Sequence, residues 1–210
     1  MNILVTGFEP FQHDQINPSW EISKALDKLK IDGYQIHSVC LPVVFGKSAQ
    51  ILQQAIYHLK PDYVLCLGVA ANRSAISLER IAINIDDAQI ADNAGNQPID
   101  QIIDTQGSPA FFSTLPIKAI FQKLRQENIS VEISNSAGTY VCNHVFYHLM
   151  SIIKNTQIKG GFIHVPASPE MVTSNCDTID MDIQIQAIYI AIKTMIKNEK
   201  DIKIIAGKIS

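Results

Sequence analysis

The sequence has little of several things, and each shortage excludes a class of protein. Its four cysteines, Cys40, Cys66, Cys142 and Cys176, contain no C-x-x-C pair. A cysteine-based zinc site is therefore not expected, and free thiols are the default. There is no basic block: 17 Lys and Arg stand against 20 Asp and Glu in 210 residues, a net charge of −3. That balance offers no footprint for nucleic acid or an anionic membrane surface. No Gly-rich phosphate loop is evident, which argues against a nucleoside phosphorylase-like enzyme. The opening "MNILVTGFEPF" lacks a basic n-region and a long apolar segment, so no signal peptide is expected. Residues 133–153 carry no Asp, Glu, Lys or Arg, but Ser, Asn, Gly and His interrupt them throughout, a poor pattern for a membrane span. A soluble, cytoplasmic protein is expected. Repeats, low-complexity tracts and linkers are also lacking, so residues 1–210 read as a single domain.

What is present is an alternation of strands and helices. "NILVTG", "YQIHSVCLPV", "DYVLCLGVA", "AISLERIAINI", "ISVEIS" and "GGFIHV" read as strands, with "DYVLCLGVA" apolar throughout, as in a sheet buried on both faces. Residues 18–30, with Pro18 at the start, read as a helix. So do "KSAQILQQAIYHLK", closed by Pro61, and "PIKAIFQKLRQEN". A helix follows Cys142, and residues 178–198 form a last one, although "DIQIQAIYI" also alternates at period 2. Residues 86–110 read as a long loop, and "IKIIAG" as a small edge strand or a tail. The fold class is α/β, with a twisted, mostly parallel central sheet and helices on both faces. Ligands of such sheets bind beyond the carboxyl ends of the strands. The segments after Gly7, after Gly68, at 136–142 and after His164 are candidates for one cleft.

"SNSAGTYVCNHVFYHLM" places Cys142 where a strand and a small-residue turn enter a helix. A free cysteine is often a small buried hydrophobe, and Cys40 and Cys66, inside apolar strands, are read that way. Cys142 also fits a nucleophile, because a helix N-terminus presents free N–H groups and partial positive charge that lower a thiol pKa. A nucleophilic thiol needs a base, and the histidines are His13, His37, His58, His144, His148 and His164. His144 and His148 stand at i and i+4, a metal-pair spacing, without an acidic residue nearby in sequence to complete a site. His164, in "GGFIHVPASPE", ends an apolar strand; it is either a satisfied core histidine or a catalytic imidazole. In "AISLERIAINI", Glu79 falls in phase with Ile81, Ile83 and Ile85 if the strand is regular. A carboxylate on an apolar face needs a partner. Arg73 or Arg80 is one candidate, and an imidazole that the carboxylate orients is another.

Four long stretches in order resemble the pyroglutamyl peptidase I family of cysteine peptidases. They are "TGFEPFQHDQINPSWE", "NRSAISLERIAINI" with Glu79, "ISNSAGTYVCNHVFY" with Cys142, and "GFIHVPASPE" with His164. The resemblance covers nearly the whole chain. It implies an α/β fold without metal or cofactor, frequent homotetramers, and removal of N-terminal pyroglutamate from small peptides. It implies Cys142 as nucleophile, His164 as base, Glu79 as the residue holding the imidazole, and the Cys142 N–H as an oxyanion donor. Phe8 and Phe11 are implied as lactam-pocket walls, with Asn17 in the same segment. A pyroglutamyl ring is small, flat and neutral, so aromatic walls with a few aimed polar groups suit it. Two positions depart from the family pattern: many members carry Arg at Gln89, and many bacterial members carry Gln at Val69. The alternative is a non-catalytic or repurposed binding protein on the same scaffold.

Overall fold

Strand residues alternate between two apolar faces, and helices cover both. The computed structural model describes residues 1–12, 14–171 and 178–207, so His13 and Cys176 lie outside the described residues. The chain runs β1 (Asn2–Phe8), α1 (Pro18–Leu26), β2 (Lys30–Ile31), β3 (Tyr34–Leu41), α2 (Lys47–Leu59), β4 (Tyr63–Val69), β5 (Ile76–Glu79), β6 (Ile81–Ile83) and β7 (Ala110–Phe112). It continues through α3 (Ile117–Gln126), β8 (Val131–Ser134), α4 (Val141–Ile153), β9 (Lys159–Val165) and α5 (Met181–Lys197). Seven strands form one sheet in the order β2-β3-β1-β4-β9-β5-β8, and β6 pairs with β7 apart from it. The β3-β1-β4-β9 run is parallel, as is β5 with β8; β2 and β5 meet their neighbours β3 and β9 antiparallel. This is the single-domain α/β architecture expected from the sequence.

The period-2 alternation divides the core. Ile3, Val5, Leu65, Leu67, Ile163 and Val165 pack on one face against Ile22 of α1, Leu124 of α3 and Ile188 of α5. Leu4, Val64, Cys66 and Phe162 pack on the other face against Leu52 of α2 and Val145 and Leu149 of α4. Helix α4 is also flanked by β6 and β7. Covered on two sides, it is apolar nearly all round, which accounts for the uncharged stretch at 133–153. Among the described residues, no helix is long and apolar enough to cross a membrane.

Two expectations are corrected and one open reading is decided. The helix expected over 18–30 ends at Leu26. Beyond it, Asp32 and Gly33 take positive φ values of 48° and 85° and turn β2 back onto β3. Asp-Gly is a strong two-residue hairpin signal, here flanked by a strand only two residues long. "AISLERIAINI" is two strands, not one: the Arg80 N–H bonds to Ser134 and its carbonyl accepts from Ser113, so the chain leaves the main sheet there. The in-phase argument for Glu79 therefore fails, although Glu79 is fully buried. Lastly, of the two readings left open for "IKIIAG", edge strand or tail, the tail is the one found. Asp201 just before it accepts from the Lys118 and Ala119 N–H groups and caps α3, whose own N-cap, Pro116, makes no side-chain bond.

Candidate active site

Helix α4 starts without a side-chain cap on Tyr140, and its first intrahelical bond is His144 N–H to the Tyr140 carbonyl. The N–H groups of Val141, Cys142 and Asn143 precede that bond and have no intrahelical acceptor. Cys142 is thus at an open helix N-terminus. Its position depends on a distant glycine: a Cβ on Gly68 would lie 2.9 Å from the Cys142 Sγ and 2.8 Å from the Phe162 ring. Only a bare Cα at the end of β4 leaves room for the thiol. Gly68 is in register with His164 on the adjacent strand β9, so the glycine that makes room for the thiol lies beside the strand that carries the imidazole.

The thiol is not the lowered one expected from a helix start alone. Burial pushes the Cys142 pKa up to about 12; the Glu79 charge adds to this, and Arg73 opposes it. Cys66, fully buried as expected, is likewise pushed up to about 12 by burial. Cys40 is only half-buried, and burial raises its pKa too.

His164 and Glu79 are both buried and meet at 2.7 Å, His164 Nδ1 to Glu79 Oε1. The carboxylate accepts, so Nδ1 carries the proton and Nε2 is the basic nitrogen. Arg73 donates to the same Oε1 at 2.7 Å and also to the Ser136 carbonyl at 3.1 Å. One guanidinium therefore ties the acid on β5 to the turn that leads into Cys142. Both partners considered for Glu79 from sequence, an arginine and an imidazole, are present at once. Arg73 is the arginine used.

A cleft of about 420 Å³ lies beyond β1, β4 and β9 and contains Cys142. Phe8, Phe11, Val43, Ile90, Tyr140 and Val141 give it apolar walls; Asp14, Asn17, Asp87, Gln89 and Thr139 are its polar groups. The four positions implied for substrate binding, Phe8, Phe11, Asn17 and Gln89, all line it. Their surroundings differ. Phe8 is 3% exposed and belongs to the core as well as the wall. Asn17 has a structural role: its Oδ1 accepts from the Ser19 N–H and hydroxyl, and its Nδ2 donates to the Glu9 carbonyl. It caps α1 and shapes the β1–α1 segment. Gln89 is exposed at the rim. Val69 also lines the cleft. Sequence reading missed Tyr140, Val43 and Ile90; a lone aromatic at a helix N-cap carries no pattern that marks a wall. A larger open groove of about 720 Å³ between α3 and α5 is lined by Lys, Gln, Tyr and Ile side chains and holds no nucleophile beside a base.

The His144–His148 pair does not form a metal site. His144 Nδ1 meets Asp86 Oδ2 at 2.8 Å, and its Nε2 accepts the Gly46 N–H at 3.0 Å. Both nitrogens are used. Among the described residues, no three His, Cys, Asp or Glu side chains are arranged to hold a metal ion. The sequence suggested no acidic neighbour; the fold brings in Asp86 from the loop after β6. Burial, then the adjacent His144, lowers the His148 pKa from 6.5 to about 4. The unfolded chain takes up a proton near pH 6.5, while the folded chain resists it until about pH 4. Stability from this site is present above pH 6.5 and falls as pH drops toward 4. With part of the ring solvated, the loss is expected to be about 1–2 kcal/mol. Urea unfolding of wild type and His148→Gln at pH 7 and pH 4.5 measures it. The variant should lose less stability than wild type on acidification, and equal losses would contradict the assignment.

The pyroglutamyl peptidase family profile matches residues 1–198. Pyrrolidone-carboxylate peptidase of Brevibacillus brevis is 46% identical over 212 residues, covering 99% of each chain. That of Bacillus thuringiensis strain Al Hakam is 44% identical over 209 residues, 98% of this chain and 97% of its own. Among solved structures, pyroglutamyl peptidase I of Bacillus amyloliquefaciens superposes with a TM-score of 0.94 at 40% identity, over 97% of this chain and 98% of its own. A pyrrolidone carboxyl peptidase variant of Pyrococcus furiosus superposes at 0.90 and 41% identity, over 94% and 99%.

Proposed function

The chain belongs to the pyroglutamyl peptidase family and is a cysteine peptidase that removes N-terminal pyroglutamate; from that premise we propose that Cys142, His164 and Glu79 carry its catalysis. The observation that supports this most is the 2.7 Å contact between buried Glu79 and His164, beside a thiol packed over Gly68. In this reading His164 Nε2 takes the Cys142 proton as Sγ bonds to the pyroglutamyl carbonyl carbon. The carbonyl oxygen becomes an oxyanion, met by the free Cys142 N–H at the helix start. The carbonyl re-forms, the C–N bond breaks, and the imidazolium gives its proton to the leaving amine. Water then adds to the thioester with His164 as base, releasing pyroglutamate and the thiol. Glu79 holds the Nδ1–H tautomer and stabilises the imidazolium.

Phe8 and Phe11 wall the lactam ring in this reading, and Asn17 keeps their segment in place. The substrates are small peptides with N-terminal pyroglutamate. Three free thiols among the described residues, Cys40, Cys66 and Cys142, support a cytoplasmic enzyme, and the one continuous seven-stranded sheet supports a single domain. Exposed Ile99, Ile102 and Phe112, on the 86–110 loop and β7, support burial against further copies in a homotetramer. Hydrolysis of a pyroglutamyl-naphthylamide, with and without a thiol alkylator, tests the activity. Turnover that survives complete alkylation of Cys142 would sink the mechanism.

Gln89 carries a further expectation. At the rim it offers a neutral amide where an arginine would offer fixed charge and several N–H donors. Gln89→Arg is expected to raise kcat/KM about five-fold, on the scale of a charged-for-neutral hydrogen bond. Val69→Gln should add to this only if both side chains face the ring. Unchanged or lower kcat/KM in a folded Gln89→Arg protein would show that other donors serve the lactam.

A further inference from the structure

The Asp86–His144 pair is buried, has both imidazole nitrogens hydrogen-bonded, and is unused by the chemistry above. Its surroundings connect it to the cleft. Because the Gly46 N–H donates to His144 Nε2, that nitrogen carries no proton; Nδ1 does, and donates to Asp86. Such an imidazole is neither a base nor a metal ligand. What it does is grip a backbone. Gly46 sits at φ 70°, and the preceding N–H, that of Phe45, donates to Asp92 Oδ2 at 2.9 Å. Two consecutive N–H groups of the β3–α2 turn are thus fixed by side chains from elsewhere in the fold.

The residue held by those two bonds is an aromatic. The Phe45 ring packs edge-on to His144 at 5.5 Å and to Tyr140 at 5.4 Å. Tyr140 in turn packs edge-on to Phe11 at 5.8 Å and donates its hydroxyl to the Ala91 carbonyl. Phe45 does not line the cleft, whereas Tyr140 and Phe11 do. The rings form a row that runs from the buried pair to the cleft wall.

We propose that the Asp86–His144 pair is a positioning device: it holds Phe45 as a buttress behind Tyr140 and so sets the wall against which the pyroglutamyl ring fits. This rests on the reading of the cleft as the lactam site. Its action is on binding rather than on proton transfer, so it is read in KM.

The test measures kcat and KM for a pyroglutamyl-naphthylamide in wild type, His144→Gln, His144→Leu and Phe45→Leu, with melting curves for each. Glutamine can accept from Gly46 and donate to Asp86, so His144→Gln should keep KM within about two-fold. His144→Leu loses both bonds, and Phe45→Leu loses the edge contacts alone. Each should raise KM roughly three- to ten-fold, the range of an aromatic pair, with kcat within about two-fold. If His144→Leu does not fold, Phe45→Leu decides. Unchanged KM in Phe45→Leu or in a folded His144→Leu, or a loss confined to kcat, overturns the proposal. Wild type without turnover would instead be a failure of the catalytic reading. Affinity of the same variants for a free five-membered lactam, by calorimetry, would then decide the buttress separately.

Discussion

Cys142→Ala is expected to reduce hydrolysis of a pyroglutamyl substrate to background, a fall of at least about 10⁴-fold, as for removal of a nucleophile. Cys142→Ser should fare little better. A serine hydroxyl keeps the position but is harder to deprotonate, and the site already disfavours negative charge: burial and Glu79 push even the thiol to about 12. The direction of that shift favours a neutral resting thiol over a waiting thiolate. In this reading deprotonation accompanies attack, with His164 receiving the proton. Two measurements separate this from a generic loss of fold. Cys40→Ala should keep activity, since Cys40 is on β3 and outside the cleft. Iodoacetamide should label Cys142 before buried Cys66, and His164→Ala should slow that labelling, because the base is gone. Full activity in Cys142→Ala, or labelling of Cys142 that ignores His164, would exclude the scheme.

The same thiol shows which properties a sequence carries. That Cys142 enters a helix is written in the small-residue turn and the apolar spacing after it. That its pKa rises is not, because the cause is packing against Gly68 and Phe162, which come from other strands. The strands β1, β4 and β9 were legible as largely apolar runs, since both faces are buried, whereas β3, with Gln35, His37 and Ser38, is only partly buried. The break at Arg80 was not: "AISLERIAINI" keeps strand-like residues through it, and the change of sheet is set by bonds to Ser134 and Ser113. Loop 86–110 reads as irregular and largely is. Yet Asp92 organises its middle, accepting from Phe45, Ala94 and Asn96, bonds of which only the local ones have a sequence signature. Phe8 was readable as a pocket wall by resemblance, but its share in the core was not. His144 and His148 had the spacing of ligands; the fold gave one an aspartate and a backbone donor and buried much of the other.

The second large effect is expected at the base and its support. His164→Ala should cost roughly 10³–10⁴-fold or more in kcat, since the protonated thiol then has no acceptor and the leaving amine no donor. Glu79→Gln should cost less. The buried carboxylate shares Oε1 between His164 Nδ1 and Arg73, and an amide oxygen at that position still accepts from both. Geometry and tautomer are kept. What is lost is the negative charge that steadies the imidazolium, a larger matter where the Cys142 proton must move to His164 during attack. The expected fall is on the order of 10- to 10³-fold, between a neutral hydrogen bond and a full loss of orientation. Arg73 sets the sign of a further variant. Arg73→Met leaves Glu79 with His164 as its only strong donor and releases the Ser136 carbonyl, so the turn into Cys142 loosens as well. It should lower kcat and also speed proteolysis of the 134–141 turn, which Glu79→Gln should not. The measurements are kcat, KM and a pH profile for each variant. If His164→Ala retains wild-type kcat, the base is elsewhere. If Glu79→Gln falls as far as His164→Ala, the charge of Glu79, and not its hold on the ring, is what the reaction uses.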